Sequence, residues 1–235
     1  MCYFGRMCGR FNVIDDPLTQ LLIDITGQHE GWTLKTEYNI APTQNVPVLV
    51  YYEDAESWGL RLMRWWLTPS WSDGPSTRYS MFNAKSETLG QNLAYREPFK
   101  NRRCVIPASG YYEWRKEGSN KLPYYMTPDY ENGFAFAGLW DCWQGENQII
   151  ESCTIVTAAA PVSMQTIHHR IPVHLTAEQS RNWMSNRTQM SVLEEILKPE
   201  IRTDIRVTPV STVVNSARNK DARCLEPLGE SFTIK

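Results

Sequence analysis

Met7-Cys8-Gly9-Arg10-Phe11 sets a cysteine directly after a methionine and before a glycine, so Cys8 can become the first residue of a mature chain. A thiol and a free α-amine on adjacent carbons do together what neither does alone. The amine condenses with an aldehyde to an imine, and the thiolate adds to the imine carbon and closes a thiazolidine ring. The amine, with an unperturbed pKa of roughly 7.7–8, is partly neutral at physiological pH and can attack. The same five residues also read as the start of a buried strand, and on their own they favour that plainer reading.

Other residues that carry chemistry are scattered along the chain. Glu113 lies between aromatics in Gly110-Tyr111-Tyr112-Glu113-Trp114-Arg115. Alternation puts Tyr111, Glu113 and Arg115 on one strand face and Tyr112 and Trp114 on the other. Burial there would disfavour the charged carboxylate and suit a general acid/base; an ordinary Glu113–Arg115 edge fits equally well. Ile167-His168-His169-Arg170-Ile171-Pro172 brings two imidazoles and a guanidinium together just before a proline. On a strand the two histidines diverge, and without C-x-x-C or H-E-x-x-H spacing no metal site is indicated. Arg96 to Arg103 holds four further cations, a weak pointer to phosphate because such runs are usually solvated faces. Trp71, on a long loop from Thr68 to Ser80, can stack on a base or act as a lid over the core.

The elements that must position these groups follow from periodicity and turn chemistry. Leu18, Leu21, Leu22 and Ile25 recur at helical spacing, predicting a helix over 15–28, capped by Asp15 or Asp16 and ended at Gly27. Strands are predicted near 46–52, 58–67, 104–108, 110–115, 124–127, 134–140, 148–157 and 205–209. Ser86 or Thr88 opens a short helix, Thr176-Ala177-Glu178-Gln179 is a capping box for another to about Met184, and a third spans 191–198 before Pro199. Many short strands with few helices indicate an α+β fold with a curved, mainly antiparallel β-sheet or barrel-like core and short flanking helices.

Composition narrows the class. The chain has 235 residues, enough for one sizeable core, and no linker divides it. No apolar run is long enough to span a membrane and no secretory signal is visible, which makes the cytoplasm the default location. Six scattered cysteines in such a chain argue for reduced thiols and not for a disulfide framework. With a net charge of −2, any nucleic-acid partner must use a local basic patch.

Read together, Met7-Cys8-Gly9-Arg10-Phe11, Tyr38-Asn39-Ile40-Ala41-Pro42-Thr43, Asn83-Ala84-Lys85-Ser86-Glu87, Gly110-Tyr111-Tyr112-Glu113-Trp114, Thr157-Ala158-Ala159 with Ile167–Pro172, and Pro209-Val210-Ser211 with Asn215 resemble the SOS response-associated peptidase (SRAP) family. Members of that family crosslink to abasic sites in single-stranded DNA. The blocks keep the family's order from residue 7 almost to the end, which gives one SRAP-like domain over 7–235 and an N-terminal extension over 1–6. The resemblance implies that Cys8 is the mature N-terminal nucleophile, held by Asn83, with Glu113 as general acid/base and His168 as a second catalytic group. It implies DNA contacts from Arg10, Pro42, Trp71, Lys85 and Arg170. The family usually has arginine where Lys85 stands, so one phosphate contact is expected there and not a bidentate clamp. The implied partner is single-stranded DNA containing abasic sites, bound by a monomer without cofactor, metal or membrane.

Two other readings use the same residues. Cys8, His168 and Asn83 match the types of a thiol peptidase, and the basic and aromatic residues alone would serve a non-covalent single-strand-binding module. The N-terminus is the difficulty for the first reading. While residues 1–6 and Met7 are attached, the nitrogen of Cys8 is an amide and no thiazolidine can close. The chemistry requires initiation at Met7 or cleavage before Cys8. Cys2 would also be exposed by loss of Met1, but Tyr3-Phe4 does not match the motif.

Overall fold

The computed structural model describes residues 9–118, 120–130 and 132–235; Cys8 and the 1–6 extension lie outside the described residues. In chain order the strands are β1 (Phe11–Val13), β2 (Glu37–Ile40), β3 (Asn45–Tyr52), β4 (Ser57–Trp65), β5 (Asn83–Lys85), β6 (Arg103–Ala108) and β7 (Gly110–Glu117). They continue as β8 (Asn120–Pro128), β9 (Phe134–Gln144), β10 (Ile149–Ala159), β11 (Arg170–Pro172), β12 (His174–Leu175), β13 (Ile205–Pro209) and β14 (Phe232–Ile234). The α-helices are α1 (Asp15–Thr26), α2 (Arg96–Asn101), α3 (Ala177–Met184) and α4 (Met190–Ile196).

Two sheets result. One runs β14-β13-β8-β7-β1-β2, and the other contains the ring β10-β4-β3-β6-β9, which closes on itself through β9–β10 pairing. Closure leaves those strands without the open edges that invite association. Pairing is antiparallel except where β10 meets β4 and β5. The expected α+β class with a barrel-like core is therefore what the chain adopts.

Aromatic side chains fill the space between the sheets. Phe11 of β1 meets Trp65 edge-on at 5.0 Å and Phe136 at 6.3 Å, tying the first sheet to the barrel. Such pairs contribute about 0.5–1.5 kcal/mol beyond their burial. Trp65 is fully buried, and its Nε1 donates to the Phe82 carbonyl at 2.8 Å, which seats the chain just before β5. Gly110 lets β7 approach β8, because a Cβ there would lie 2.5 Å from the Met126 carbonyl oxygen.

Several local expectations need correcting. Helix α1 buries the predicted stripe and ends on Gly27 in the left-handed region, but its N-cap is Ile14 with no side-chain cap. Asp15 and Asp16 instead occupy the first turn, where carboxylates favour the helix dipole. Ser86–Thr88 is one 3₁₀ turn, and the following helix starts only at Arg96. Half of the cationic run is occupied within the fold, whereas Arg96 and Lys100 stay exposed beside Glu97. Arg103, 4% exposed, donates to the carbonyls of Phe99 and Lys100 at 2.6 Å and of Ser185 at 2.7 Å, and Arg102 pairs with Asp141 at 3.2 Å. The capping box of α3 is present, with Thr176 and Gln179 bonding reciprocally.

Candidate functional site

Where the two sheets meet, a cleft of about 480 Å³ opens. The first sheet contributes Gly9 and Arg10 at the approach to β1, Glu113 and Trp114 of β7, and Lys121 of β8. The barrel side contributes Trp66, Phe82 and His168, and the turns add Pro42 and Asn215. The Arg10 carbonyl accepts from the Tyr112 amide at 2.9 Å, so the chain entering β1 is laid beside β7 next to Glu113. Glu113 is 3% exposed, the carboxylate among aromatics that the sequence pattern suggested.

His168 does not lie on a strand, and its ring does not diverge from that of His169. The two rings stack with centroids 4.3 Å apart in the loop before β11. The Arg170 amide donates to His168 Nδ1 at 3.2 Å. Nδ1 also lies 3.3 Å from the Arg170 carbonyl; when Nδ1 accepts from the amide, the neutral ring carries its proton on Nε2. Burial pushes the His168 pKa below the ordinary imidazole value, and the neighbouring His169 adds to that effect, so the ring is neutral at physiological pH.

The cleft wall opposite the barrel is built by contacts across nearly the whole chain. Arg10 Nη1 donates to Asn39 Oδ1 at 2.8 Å and to the Val214 carbonyl at 2.7 Å, with its guanidinium 5.6 Å from the Trp114 ring centroid. Asn39, fully buried, donates from Nδ2 to the carbonyls of Ser216 at 3.0 Å and Asn219 at 2.8 Å. Trp114 Nε1 donates to Asn215 Oδ1 at 2.6 Å. Lys220 Nζ reaches Gln44 Oε1 at 2.7 Å, and the same oxygen accepts from the Ala41 amide at 2.8 Å, which fixes the turn presenting Pro42. Thr43 in that turn has φ 79°, an unfavourable region for a β-branched residue. Its amide is held by the Trp65 carbonyl at 2.9 Å.

Asn39→Ala removes the donor for these carbonyls and the acceptor for Arg10. Leaving buried polar groups unpaired costs about 1–3 kcal/mol each, so a loss of at least ~2 kcal/mol is expected in urea unfolding. Asn39→Asp, which keeps the acceptor but cannot donate, is expected not to restore it.

The remaining expected site residues are distributed unevenly. Asn83 is the first residue of β5, beside the cleft-lining Phe82, and its carbonyl accepts from the Tyr95 hydroxyl at 3.2 Å. Lys85 is exposed at the end of the same strand. Arg170 is bound to Glu87 through two hydrogen bonds of 2.6 and 2.9 Å, so its charge is already balanced. Trp71 is 64% exposed and is not among the cleft-lining residues. The aromatics lining the cleft are Trp66, Phe82 and Trp114. Trp114 stands beside Glu113 in a motif already singled out, and Trp66 ends a predicted strand, so both carried a signal that the exposed loop obscured. Asn215 belongs to the closing segment already quoted, whereas Lys121 and Phe82 join the site only through the fold.

The four described cysteines are free thiols. Burial raises the pKa of each, which suppresses the thiolate and leaves them as packing residues. Among the described residues no group of three or more histidine, cysteine or acidic side chains is placed to hold a metal. What the cleft offers is a buried carboxyl group, a neutral imidazole, cations and aromatic faces, a set suited to moving protons on an anionic, ring-containing ligand.

Comparison with known proteins agrees with this picture. The family model described as SOS response associated peptidase (SRAP) matches residues 7–217. The chain is 35% identical over 226 residues to the abasic site processing protein YoqW of Bacillus subtilis, covering 94% of this chain and 99% of that one. It is 32% identical over 223 residues to the abasic site processing protein HMCES of Xenopus tropicalis, covering 80% and 65%. Among solved structures, a Bacteroides thetaiotaomicron protein superposes with a TM-score of 0.74 at 22% identity, over 97% of this chain and 100% of that one.

Proposed function

Since this chain belongs to the SOS response-associated peptidase family, we propose that it processes abasic sites in single-stranded DNA by forming a covalent thiazolidine through a mature N-terminal Cys8. The observation that carries this reading is that Gly9, Glu113 and His168 line one cleft. Residue 8 is one Cα step, about 3.8 Å, from Gly9. The names of the relatives supply the substrate class, and the cleft chemistry fits it.

An abasic deoxyribose is mostly a closed hemiacetal. In the proposed sequence Glu113 takes the proton of the anomeric hydroxyl while His168 Nε2–H donates to the ring oxygen, which releases the aldehyde. The Cys8 amine adds to it, one amine proton passing to the new hydroxyl oxygen; the carbinolamine loses water as Glu113 returns its proton to the leaving hydroxyl; and the Cys8 thiol gives its proton to His168 Nε2, restoring it, as the sulfur closes the ring on the iminium carbon. One water leaves overall. Asn83, at the start of β5, orients the aminothiol, so that attack does not bear the entropy of a free encounter. Lys85, Lys121 and the Trp66 and Trp114 faces hold the strand with little reading of sequence, whereas Arg10 acts mainly by keeping the wall in place. Any peptidase step is confined to the chain's own N-terminus, where it removes the residues before Cys8.

The test is intact mass. Protein with a verified Cys8 N-terminus, mixed with an abasic single strand and denatured, is expected to show a species equal to the sum of both partners less one water. An unmodified protein under those conditions overturns the proposal, and turnover of unrelated peptides would favour the peptidase reading instead.

A further inference from the structure

Beyond the cleft, β7 and β8 continue as a two-stranded ribbon in which Lys116 is directly opposite Lys121. Residues so paired share a face with Cβ atoms about 4.5–5.5 Å apart, and like charges there are destabilising. Both lysines are exposed, and neither makes an ion pair among the described residues. Arg115, on the other face, is committed elsewhere, with its guanidinium 4.6 Å from the Tyr124 ring centroid. By alternation Trp114 lies on the same face as Lys116, and Trp114 and Lys121 both line the cleft. A face therefore leads out of the cleft from an indole to two adjacent cations that repel each other until an anion lies between them.

We propose that the Lys116–Lys121 pair is a phosphate-binding extension of the cleft, engaging the backbone of the single strand beside the reacting sugar. This rests on the cleft being the DNA site. Two residues along a strand span about 6.8 Å, so the pair meets phosphates flanking the sugar and not the sugar itself. The contact is electrostatic and indifferent to base identity.

The test uses an intact, non-reactive single strand, so that binding is read apart from crosslinking. Fluorescence anisotropy across a salt series gives the slope of log affinity against log salt. Each lost lysine–phosphate contact lowers that slope by about 0.7 for single strands. Lys116→Gln is expected to lower it by about 0.7, and Lys116→Gln/Lys121→Gln by about 1.4. Lys116→Arg should retain the wild-type slope. The double variant should unfold at the same or a higher urea concentration than wild type, since the repulsion is gone, which separates lost contacts from lost structure. If wild type binds with a measurable slope and the variants keep it, the hairpin proposal fails while the cleft reading stands. If wild type shows no salt-dependent binding, both fail.

Discussion

Replacing Glu113 by Gln is expected to slow adduct formation by about a hundred- to ten-thousand-fold, the range that positioned general acid/base groups contribute. The substitution keeps shape and removes only the capacity to exchange a proton. Glu113 lies 3% exposed on β7, between Tyr112 and Trp114 and opposite Tyr124 of β8. At such a site Gln fills the same volume. Circular dichroism and anisotropy with an intact strand should therefore change little while the single-turnover rate drops. A rate within threefold of wild type would remove Glu113 from the proton-transfer role. The same measurement bears on ring opening. With a substrate locked in the aldehyde form the deficit should shrink, because the carboxyl group is then needed only for loss of water.

The second large effect concerns stability in acid. His174 on β12 is 3% exposed, stacked on Phe134 at 4.3 Å, and neither ring nitrogen has a hydrogen-bond partner. Burial, with the Arg202 cation adding to it, lowers its pKa to about 3. An unfolded chain takes up that proton near pH ~6.5, whereas the folded chain does not until far lower pH. The unfolded state thus binds more protons over the interval. The stability is present in full above pH ~6.5 and is lost progressively towards pH 3. At about 1.4 kcal/mol per pH unit, the loss between pH 6.5 and 5 is about 2 kcal/mol from this residue alone. His168, lowered in the same direction, adds to it. His174→Leu should flatten the fall in urea midpoint between pH 7.5 and 5, and any packing penalty is common to both pH values and cancels. A variant with the same acid dependence as wild type would rule His174 out as the cause.

Much of this architecture was legible in the chain. The stripe Leu18-Leu21-Leu22-Ile25 became the buried face of α1, and Thr176–Gln179 became a reciprocal capping box, because both signals are local. The Glu113 strand was legible for the same reason. The contacts that complete the cleft were not. Asn39 lay inside a motif already quoted, but its role depends on carbonyls some 175 to 180 residues away. The cluster Arg96–Arg103 divides in a way composition does not show: Arg103 is turned inward onto helix-end carbonyls, while Arg96 and Lys100 stay exposed beside Glu97. Trp71 stays exposed outside the cleft lining, a placement the sequence does not carry, since the length of a loop does not say which way it folds.

The bond from Arg10 to the Val214 carbonyl spans 204 residues. Synthesis runs from the N-terminus, so the start of the chain emerges first and the wall that frames it emerges among the last segments. The barrel strands are complete by residue 159, whereas 212–220 must still arrive and dock. Loop closure across so much chain makes this docking a late event in folding. The wall of the cleft is thus completed by assembly, and a chain cut short before residue 212 lacks the partners of Arg10, Asn39 and Trp114 that frame it.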